Sequence, residues 1–303
     1  MDLAQKQHVV FPGPLKLLLF YLYLAGSISG CETNPYTDRS QLMVVPESQA
    51  MQMGEQAFQQ ILSDPEVKRS DSPEEQQAVQ RVAERIIQAA KESKYAETAR
   101  EFNWEVVVIK DDKTANAFAL PGGKIAVYTG IFPIAQNEAG LAAIMGHEVI
   151  HALARHGSER MSQEVLSQAG LTVAAVGLGA SGAGPVASQA TMAALGLGTR
   201  VGILLPYSRT HESEADYIGL LLSARAGYNP QAAVHVWQRM QQASQGAPPE
   251  FMSTHPSHGS RIKHLQEKMP EAIKLYQQVE QAPEHTLPLV AAKPNSPGRS
   301  RKS

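Results

Sequence analysis

The stretch GHEVIHALARHGSER, residues 146–160, carries three histidines around one of its two glutamates and determines how the rest of the chain is interpreted. In an α-helix, His147 and His151 lie one turn apart on the same face, about 6 Å along the axis, so both imidazoles can bind one ion. Glu148 is turned away from that face by about 100°, which suits a base acting on water beside the ion. The stretch predicts a catalytic metal site; an ordinary histidine-rich amphipathic helix is the alternative.

The residues around this motif favour the metal site. The preceding segment EAGLAAIMG, residues 138–146, is a strong helix former with an apolar face, so the motif falls inside a helix. A zinc hydrolase also needs a third protein ligand, leaving the fourth position to water. His156 does not supply it in the spacing H-E-x-x-H-x-x-G-x-x-H, because Ala154 stands at the glycine position and Gly157 at the last histidine position.

A second helical pattern, SRTHESEADYIGLLLSARAGY at residues 208–228, offers the missing ligand. Glu212 and Asp216 stand four residues apart and share one face, so Glu212 can bind the metal while Asp216 hydrogen-bonds a ligand histidine. Glu214 points to nearly the opposite side and is interpreted as a solvated helix charge. The two patterns together predict a site of two histidines and one glutamate, with Glu148 as the base.

These two helices resemble the zinc metallopeptidases that include HtpX and the CAAX prenyl endopeptidases, with H-E-x-x-H on one helix and E-x-x-x-D on the next. Two further segments resemble the same family: NAFALPGGKIAVYTGIF (116–132) matches the hairpin before the metal helix, and THPSHGSR (254–261) matches a late H-P-x-x-x-x-R element. The resemblance covers most of residues 34–270 and implies one Zn²⁺ ion per chain. The residues that match the family's zinc ligands and base are His147, His151, Glu212 and Glu148.

The expected fold is α+β and mostly helical, a zincin-like metallopeptidase with the H-E-x-x-H helix in the core and a small β-hairpin or sheet at the cleft. Residues 104–112 carry the best strand signal, and Gly122 with Gly123 predicts a tight hairpin. A strand at the cleft edge can pair with an extended substrate, and a purely structural hairpin is the alternative. By resemblance the substrate-binding residues are Asn116, Ala117 and Phe118.

Composition bounds the function classes. The 303 residues are 43% hydrophobic and 18% charged, which suits one sizeable domain with tails. The net charge of −2 gives no electrostatic reason to expect nucleic acid, and the sequence contains no P-loop or dinucleotide glycine fingerprint. The expected partners are therefore polypeptide substrates and not nucleic acid.

The single cysteine, Cys31, is interpreted from its position. Residues 15–30, LKLLLFYLYLAGSISG, have one lysine, a short apolar run and then small residues, as a secretory signal peptide does. The small residues before Cys31 resemble a bacterial lipoprotein processing site, which predicts a lipidated Cys31 that anchors the chain to a membrane. Glu32 favours the outer membrane, facing the periplasm. An uncleaved anchor and a plain secreted protein are the alternatives.

Four parts are expected along the chain. They are a lipoprotein signal peptide (1–30), a lipidated lead-in segment (31–46), a zinc metallopeptidase domain (47–280) and a disordered tail (281–303). The Ala- and Gly-rich segment 165–204 predicts small-residue helices packed on the core, favoured over a membrane hairpin. Contact with a membrane surface and a lid over the cleft stay open for that segment.

His255 is the remaining candidate at the site. A histidine before proline adopts an extended or turn conformation and can approach the metal from its open side. It either donates to the oxyanion of the tetrahedral intermediate or occupies the fourth coordination position in a latent state. Arg261 either orients His255 or pairs with an acidic group such as Asp216.

Two functions are compatible with these residues. The first is a zinc endopeptidase that cleaves misfolded or stalled proteins of the bacterial envelope. The second is a chaperone-like factor that works with the outer-membrane assembly machinery, its hydrolysis latent or secondary. The intact metal motifs argue against a chain without catalysis, but they do not exclude a dual role.

Overall fold

The computed structural model describes residues 31–177, 207–244, 248–255 and 259–290. Its strands are β1 (Cys31–Thr33), β2 (Ser40–Leu42), β3 (Glu105–Ile109), β4 (Ala117–Leu120) and β5 (Lys124–Tyr128). Its helices are α1 (Glu47–Ser63), α2 (Pro73–Lys91), α3 (Ala96–Glu101), α4 (Phe132–Ala135), α5 (Glu138–Leu153), α6 (His156–Gly177), α7 (Arg209–Arg225), α8 (Gln231–Ala243), α9 (Phe251–Thr254) and α10 (Arg261–Tyr276). The predicted α+β, mostly helical class is confirmed.

Side-chain caps fix where the helices around the site begin. The side chains of Ser72, Asn137 and Ser208 each accept the backbone N–H three residues further on, at the starts of α2, α5 and α7. Each cap satisfies a donor that has no partner inside its helix. At the other end of α5, Arg155 takes a positive φ of 56° and turns the chain before α6 begins. Both motif-bearing helices, α5 and α7, therefore have a defined start.

Helix α5 lies in the middle of the core. It packs against α2, α7, α8 and β4, and nearly all of its residues are buried. A helix buried on every side is apolar on every side, which explains the run of leucine, isoleucine, valine, methionine and alanine around its polar motif. The motif residues of α5 are consequently held away from water.

Helices α5 and α7 approach each other closely because glycines face each other where they cross. A Cβ on Gly219 of α7 would lie 2.8 Å from the backbone nitrogen of His147, and a Cβ on Gly146 would lie 2.9 Å from the carbonyl oxygen of Gly219. Neither position has room for a side chain unless the helices separate. The contact sets the distance between the histidines of α5 and the acidic residues of α7.

Replacing Gly219 with alanine is expected to destabilise the fold by about 1–3 kcal/mol, the usual cost of overpacking a core. Chemical denaturation with the linear extrapolation measures this loss. The matched control is Gly157→Ala in α6, where the nearest atom to a new Cβ is 3.9 Å away. The control should keep or slightly raise stability, since alanine favours a helix over glycine. Equal losses in both variants would contradict the close approach.

The three-stranded sheet has the order β3-β5-β4, with β3 and β5 parallel and β4 antiparallel to β5. Gly122 and Gly123 connect β4 to β5 with φ of 84° and 85°, a backbone region that glycine adopts freely. The strand and hairpin predicted from the sequence are therefore confirmed. Strand β4 lies at the edge of the sheet and packs against α5.

The lead-in begins with a strand pair, and the first part of the tail is more ordered than the sequence indicates. Cys31 begins β1 and stands opposite Leu42 of β2, while its lipidation and the removal of residues 1–30 stay predictions. At the other end, the chain was expected to be disordered from residue 281. Instead the His285 carbonyl accepts the N–H that begins α5, and Leu287 is buried with 6% exposed. Backbone hydrogen bonds and one buried side chain hold this segment against α5.

The Ala- and Gly-rich segment falls largely outside the described ranges. Its residues 165–177 continue α6, and residues 178–204 are not among those described. Within the described part of the chain, no helix has the length and apolar character needed to cross a bilayer.

Candidate metal centre

Four buried side chains bring their ligand atoms together. His147 and His151 come from α5, Glu212 from the first turn of α7, and His255 directly follows α9. One nitrogen or oxygen of each lies within 4.8 Å of the others. This four-residue group, the metal cluster, can hold a metal ion.

The distances within the cluster identify which atoms face its centre. The Nε2 atoms of His147 and His151 are 3.1 Å apart. Glu212 Oε1 lies 3.3 Å from His151 Nε2, and Glu212 Oε2 lies 3.6 Å from His147 Nε2. The spacing of four residues on α5 aligns the two imidazoles, and the close crossing with α7 brings in the carboxylate.

Electrostatics places these three residues in the protonation states of metal ligands. Burial lowers the pKa of His147 and of His151 well below the usual value, so both rings are neutral. Burial alone would raise the pKa of Glu212, but the neighbouring His255 and His151 outweigh it and hold that pKa well below its usual range. Neutral imidazole and ionised carboxylate are the forms that bind a metal.

Glu148 lies beside the cluster without joining it. Its Oε1 atom is 4.0 Å from His147 Nε2, and no donor in the described residues reaches Oε1 in hydrogen-bonding geometry. Glu148 also accepts the backbone N–H of Ala119, on the edge strand β4. Burial raises the pKa of Glu148 to about 7, which is suitable for a group that takes and returns a proton near neutral pH. The buried Oε1 atom, which accepts no hydrogen bond from the described residues, and the set of nitrogen and oxygen ligand atoms both fit a site that takes a metal and a water.

An outer pair of charged residues holds the cluster from the α10 side. Asp216 Oδ1 lies 3.0 Å from His147 Nδ1, the ring nitrogen that faces away from the cluster. Arg261 reaches Asp216 Oδ2 at 2.5 Å and Glu212 Oε2 at 2.8 Å. Burial raises the pKa of Asp216 to about 6, against the opposing effect of Arg261. The guanidinium also lies 3.4 Å from the ring centre of Trp237, a cation–π contact.

His255 differs electrostatically from the other two histidines. Its Nδ1 atom is 2.9 Å from Glu212 Oε1 and 3.2 Å from His147 Nε2, and its Nε2 atom is 3.3 Å from Glu148 Oε1. Burial acts to lower the pKa of His255, but the carboxylates of Glu148 and Glu212 outweigh it, so the pKa is raised. His255 thus contacts both the other members of the cluster and the neighbouring base, Glu148.

With this geometry in place, comparison with known proteins identifies the family. Residues 73–269, which contain all the helices of the cluster, match the family described as Peptidase family M48. The chain belongs to peptidase family M48. The match confirms the prediction of a metallopeptidase at the level of the family.

Relatives of this M48 chain include mitochondrial enzymes. It is 41% identical over 196 residues to the mitochondrial metalloendopeptidase OMA1 of Schizosaccharomyces pombe, covering 64% of this chain and 53% of that protein. The human metalloendopeptidase OMA1 is 28% identical over 267 residues, covering 84% and 49%. The beta-barrel assembly-enhancing protease of Escherichia coli is 33% identical over 150 residues, covering 48% and 31%. The chain spans about half the length of these two OMA1 proteins.

These matches correct two predictions. The relatives named above are OMA1 endopeptidases and a beta-barrel assembly-enhancing protease, so family M48 is supported and the narrower resemblance to HtpX and the CAAX prenyl endopeptidases is not. The predicted location in a bacterial outer membrane is wrong, because the OMA1 relatives from yeast to human are mitochondrial proteins by name. A lipid anchor at Cys31 gains no support from these matches.

Seven of the residues that the sequence singled out come together, while the three predicted substrate-binding residues lie on the hairpin. The cluster and its neighbours contain His147, Glu148, His151, Glu212, Asp216, His255 and Arg261. Of the two alternatives for Arg261, the structure has the pair with Asp216. Asn116, Ala117 and Phe118 lie at the start of the edge strand and are all buried.

Glu214 is not the solvated charge that the helix phase indicated. Its side chain is 5% exposed, and its Oε2 atom pairs with Arg39 at 2.8 Å and with His156 at 3.1 Å. These partners and Thr37 lower the pKa of Glu214 to about 2, although burial alone would raise it. A helical pattern could not reveal this, because Arg39 is 175 residues away in the chain.

Tyr207 is a site residue that sequence reasoning missed. Its ring stacks on the ring of His151, with centroids 3.9 Å apart, and its backbone N–H donates to the Thr254 carbonyl beside His255. The available signal was its place directly before Ser208, the cap of the helix that carries Glu212. The aromatic ring packs one face of a metal-cluster histidine.

Proposed function

We propose that this chain is a zinc-dependent endopeptidase. The observation that carries the proposal is the buried cluster of two neutral imidazoles and one carboxylate with Glu148 directly beside it. In this proposal His147, His151 and Glu212 hold Zn²⁺, one ion per chain, and Glu148 is the general base. The donor set supports zinc as the metal, since two histidines and a glutamate are a frequent ligand set of catalytic zinc.

The chain's own residues perform the proton transfers. A zinc ion bound there supplies Lewis acidity, making water acidic near neutral pH and polarising a peptide carbonyl. Glu148 accepts the proton of the attacking water and later donates it to the leaving amine. Its pKa of about 7 allows both transfers without a strongly uphill step. The buried surroundings of α5 exclude bulk water, so the proton is passed among these groups and is not lost to solvent.

Asp216 and Arg261 are proposed to orient the ligands. Asp216 accepts from His147 Nδ1, which leaves the Nε2 lone pair of that ring free for the metal. Arg261 bridges Asp216 and Glu212, so it keeps both carboxylates ionised and fixed relative to each other. The two charged residues thus act through the ligands, without touching the reacting atoms.

The substrate is proposed to be an extended polypeptide that pairs with β4. The N–H of Tyr128 donates to the carbonyl of Asn116 at 3.0 Å, and bonded pairs alternate along an antiparallel ladder. The backbone groups of Ala117 and Ala119 therefore face away from β5, toward the edge of the sheet where no described strand pairs. Ala119 N–H is the donor that Glu148 accepts, so this side of β4 leads directly to the base.

The three predicted substrate-binding residues take different roles in this proposal. Ala117 offers the backbone that pairs with the substrate. Asn116 covers it, because its Oδ1 atom accepts the N–H of Ala117 at 2.9 Å and has to move away before a peptide binds. Phe118 packs its ring near Tyr128 and supports the strand. Misfolded polypeptides are suited to such an edge, since they present unpaired backbone.

Metal removal and return tests the proposal. The purified chain is assayed for cleavage of casein, an unfolded polypeptide, before and after removal of metal with a chelator. Activity should disappear on chelation and return with one equivalent of Zn²⁺, while Mg²⁺ should restore nothing because it prefers oxygen ligands. In the same assay Asn116→Ala should lower KM without changing zinc content. Cleavage that persists in fully stripped protein would contradict the proposal.

His255 is proposed to hold the site latent by occupying the fourth position. Its Nδ1 atom belongs to the cluster, which supports this role over that of an oxyanion donor. His255→Ala should then raise kcat on casein, because the position becomes free for water. If His255 instead stabilises the oxyanion, the same variant should lower kcat by about 10²–10³-fold. Unchanged kinetics would contradict both roles.

A further inference from the structure

A line of buried polar side chains runs from the metal cluster to the lead-in segment. His151 Nδ1 lies 3.0 Å from His156 Nδ1, and His156 Nε2 lies 3.1 Å from Glu214 Oε2. Arg39 donates to the same Glu214 oxygen at 2.8 Å. The four residues come from α5, α6, α7 and the segment before β2, so the line connects distant parts of the sequence. His151, His156 and Glu214 are buried.

The geometry allows one arrangement of protons along this line if His151 binds a metal. Its Nε2 atom faces the cluster and needs a free lone pair, so the ring proton has to be on Nδ1. That proton points at His156 Nδ1, which must then accept. The proton of His156 is consequently on Nε2, where Glu214 accepts it. Each histidine in the line donates to the next group, and Glu214 at the end also accepts from the positively charged Arg39.

The two metal-facing histidines of α5 have matching support. His147 donates from Nδ1 directly to Asp216, which Arg261 holds. His151 donates from Nδ1 to His156, which donates to Glu214, which Arg39 holds. In each case the hydrogen bonds that start at the ring end at a carboxylate paired with an arginine. The difference is that the support of His151 needs one histidine more and reaches the lead-in segment.

A second set of contacts fixes Arg39 itself. Its Nη1 atom pairs with Glu159 of α6 at 2.7 Å, and Glu159 in turn lies 3.1 Å from His211 Nε2 of α7. Gln41 donates to Glu159 as well, at 3.1 Å, and to the Ala154 carbonyl at the end of α5. Residues 39–41 are thereby held against the ends of three helices. The arginine that ends the line has little freedom to move.

We propose that His156, oriented by Glu214 and Arg39, is a positioning residue that fixes the tautomer and ring orientation of the metal ligand His151. This inference rests on the proposed function, in which His151 binds zinc. It makes the lead-in residue Arg39 a working part of the metal centre. The role is indirect, since His156 contacts the ligand and does not contact substrate.

The experiment measures zinc affinity of the full chain by competition with a chromophoric chelator. His156→Phe keeps the ring volume and removes the hydrogen bonds, and its affinity should fall by about 10–100-fold, as losing such an outer partner usually does. Glu214→Leu should cause a fall of similar size. The double variant should lose little more than either single one, because both act through one line. Additive losses would overturn the proposed line.

A matched control separates positioning from plain structural support. Glu75→Gln changes a buried carboxylate of α2 that pairs with Lys110 at 2.7 Å and takes no part in the line to His151 or in the contacts of Arg39. It should lower the melting temperature of the metal-free protein and leave zinc affinity within about twofold. If Glu75→Gln and His156→Phe lowered affinity equally, the effect would come from the stability of the fold alone and the inference would be overturned.

Two further outcomes keep the test decisive. If His156→Phe and Glu214→Leu do not fold, Glu214→Gln serves, since its neutral amide weakens the bond from His156 and should lower affinity about fivefold. Unchanged affinity in that folded variant would overturn the inference. Wild-type protein that binds zinc with an affinity no different from His156→Phe would overturn this inference alone. Wild-type protein that binds no zinc would overturn the proposed function together with it.

Discussion

Replacing Glu148 with glutamine is expected to lower kcat/KM for casein by about 10²–10⁴-fold, the usual contribution of a general base. The amide has nearly the same shape but cannot take a proton from water. It can still accept the N–H of Ala119, so the contact between α5 and β4 persists. Zinc content should stay at one ion per chain, since Glu148 is not one of the proposed ligands and its Oε1 atom is 4.0 Å from His147 Nε2.

The direction in which the same variant changes the stability of the fold can also be predicted. Burial raises the pKa of Glu148 in the folded protein to about 7, above its value of about 4.5 in the unfolded chain. The ionised carboxylate therefore destabilises the fold as pH rises through that interval, and fully so above pH 7. A neutral glutamine removes this cost, so the metal-free variant at pH 8 should be at least as stable as the wild type. Loss of both folding and activity would contradict the role of base.

Replacing Glu212 with glutamine should remove both zinc and activity. An amide is a much poorer zinc ligand than a carboxylate, and the loss of affinity should exceed the 10–100-fold that follows loss of an outer partner. The change also leaves Arg261 without one of its two carboxylates. Zinc is measured by mass spectrometry of the metal after dialysis, and activity by casein cleavage.

The control for Glu212→Gln has to come from outside the α7 network. Glu214, which the helical pattern indicated as a solvated charge and so as a suitable control, is buried and paired with Arg39. Glu97 in α3 is exposed, and Glu97→Gln should leave zinc content and activity unchanged. Full zinc occupancy in Glu212→Gln would contradict the assignment of the third ligand.

The site residues on each helix could be predicted from spacing, because spacing is a local property. The four-residue separations of His147 from His151 and of Glu212 from Asp216 place each pair on one helix face. The resemblance to a metallopeptidase family then indicated that the two helices contribute to one site. The crossing at Gly146 and Gly219, which sets their separation, is not apparent from either helix alone.

The surroundings of the site could not be predicted, because they depend on distant contacts. Arg155 with its positive φ turns the chain so that His156 returns to the side of His151, and no sequence pattern indicated that turn. Glu214 became buried through a partner far away in the lead-in. The sequence of the tail is polar and rich in proline, which indicates disorder. In the structure, however, Leu287 is buried and the backbone around it hydrogen-bonds to residues at the start of α5.

The central claim is that the cluster on α5 and α7 binds one zinc ion. Anomalous diffraction at the zinc edge from crystals of the full chain tests it most directly. The account predicts a single peak about 2.0–2.1 Å from the Nε2 atoms of His147 and His151 and about 2.0–2.2 Å from a Glu212 oxygen. Zinc-replete crystals with no peak among these three residues, or with the peak between His156 and Glu214 instead, would contradict it.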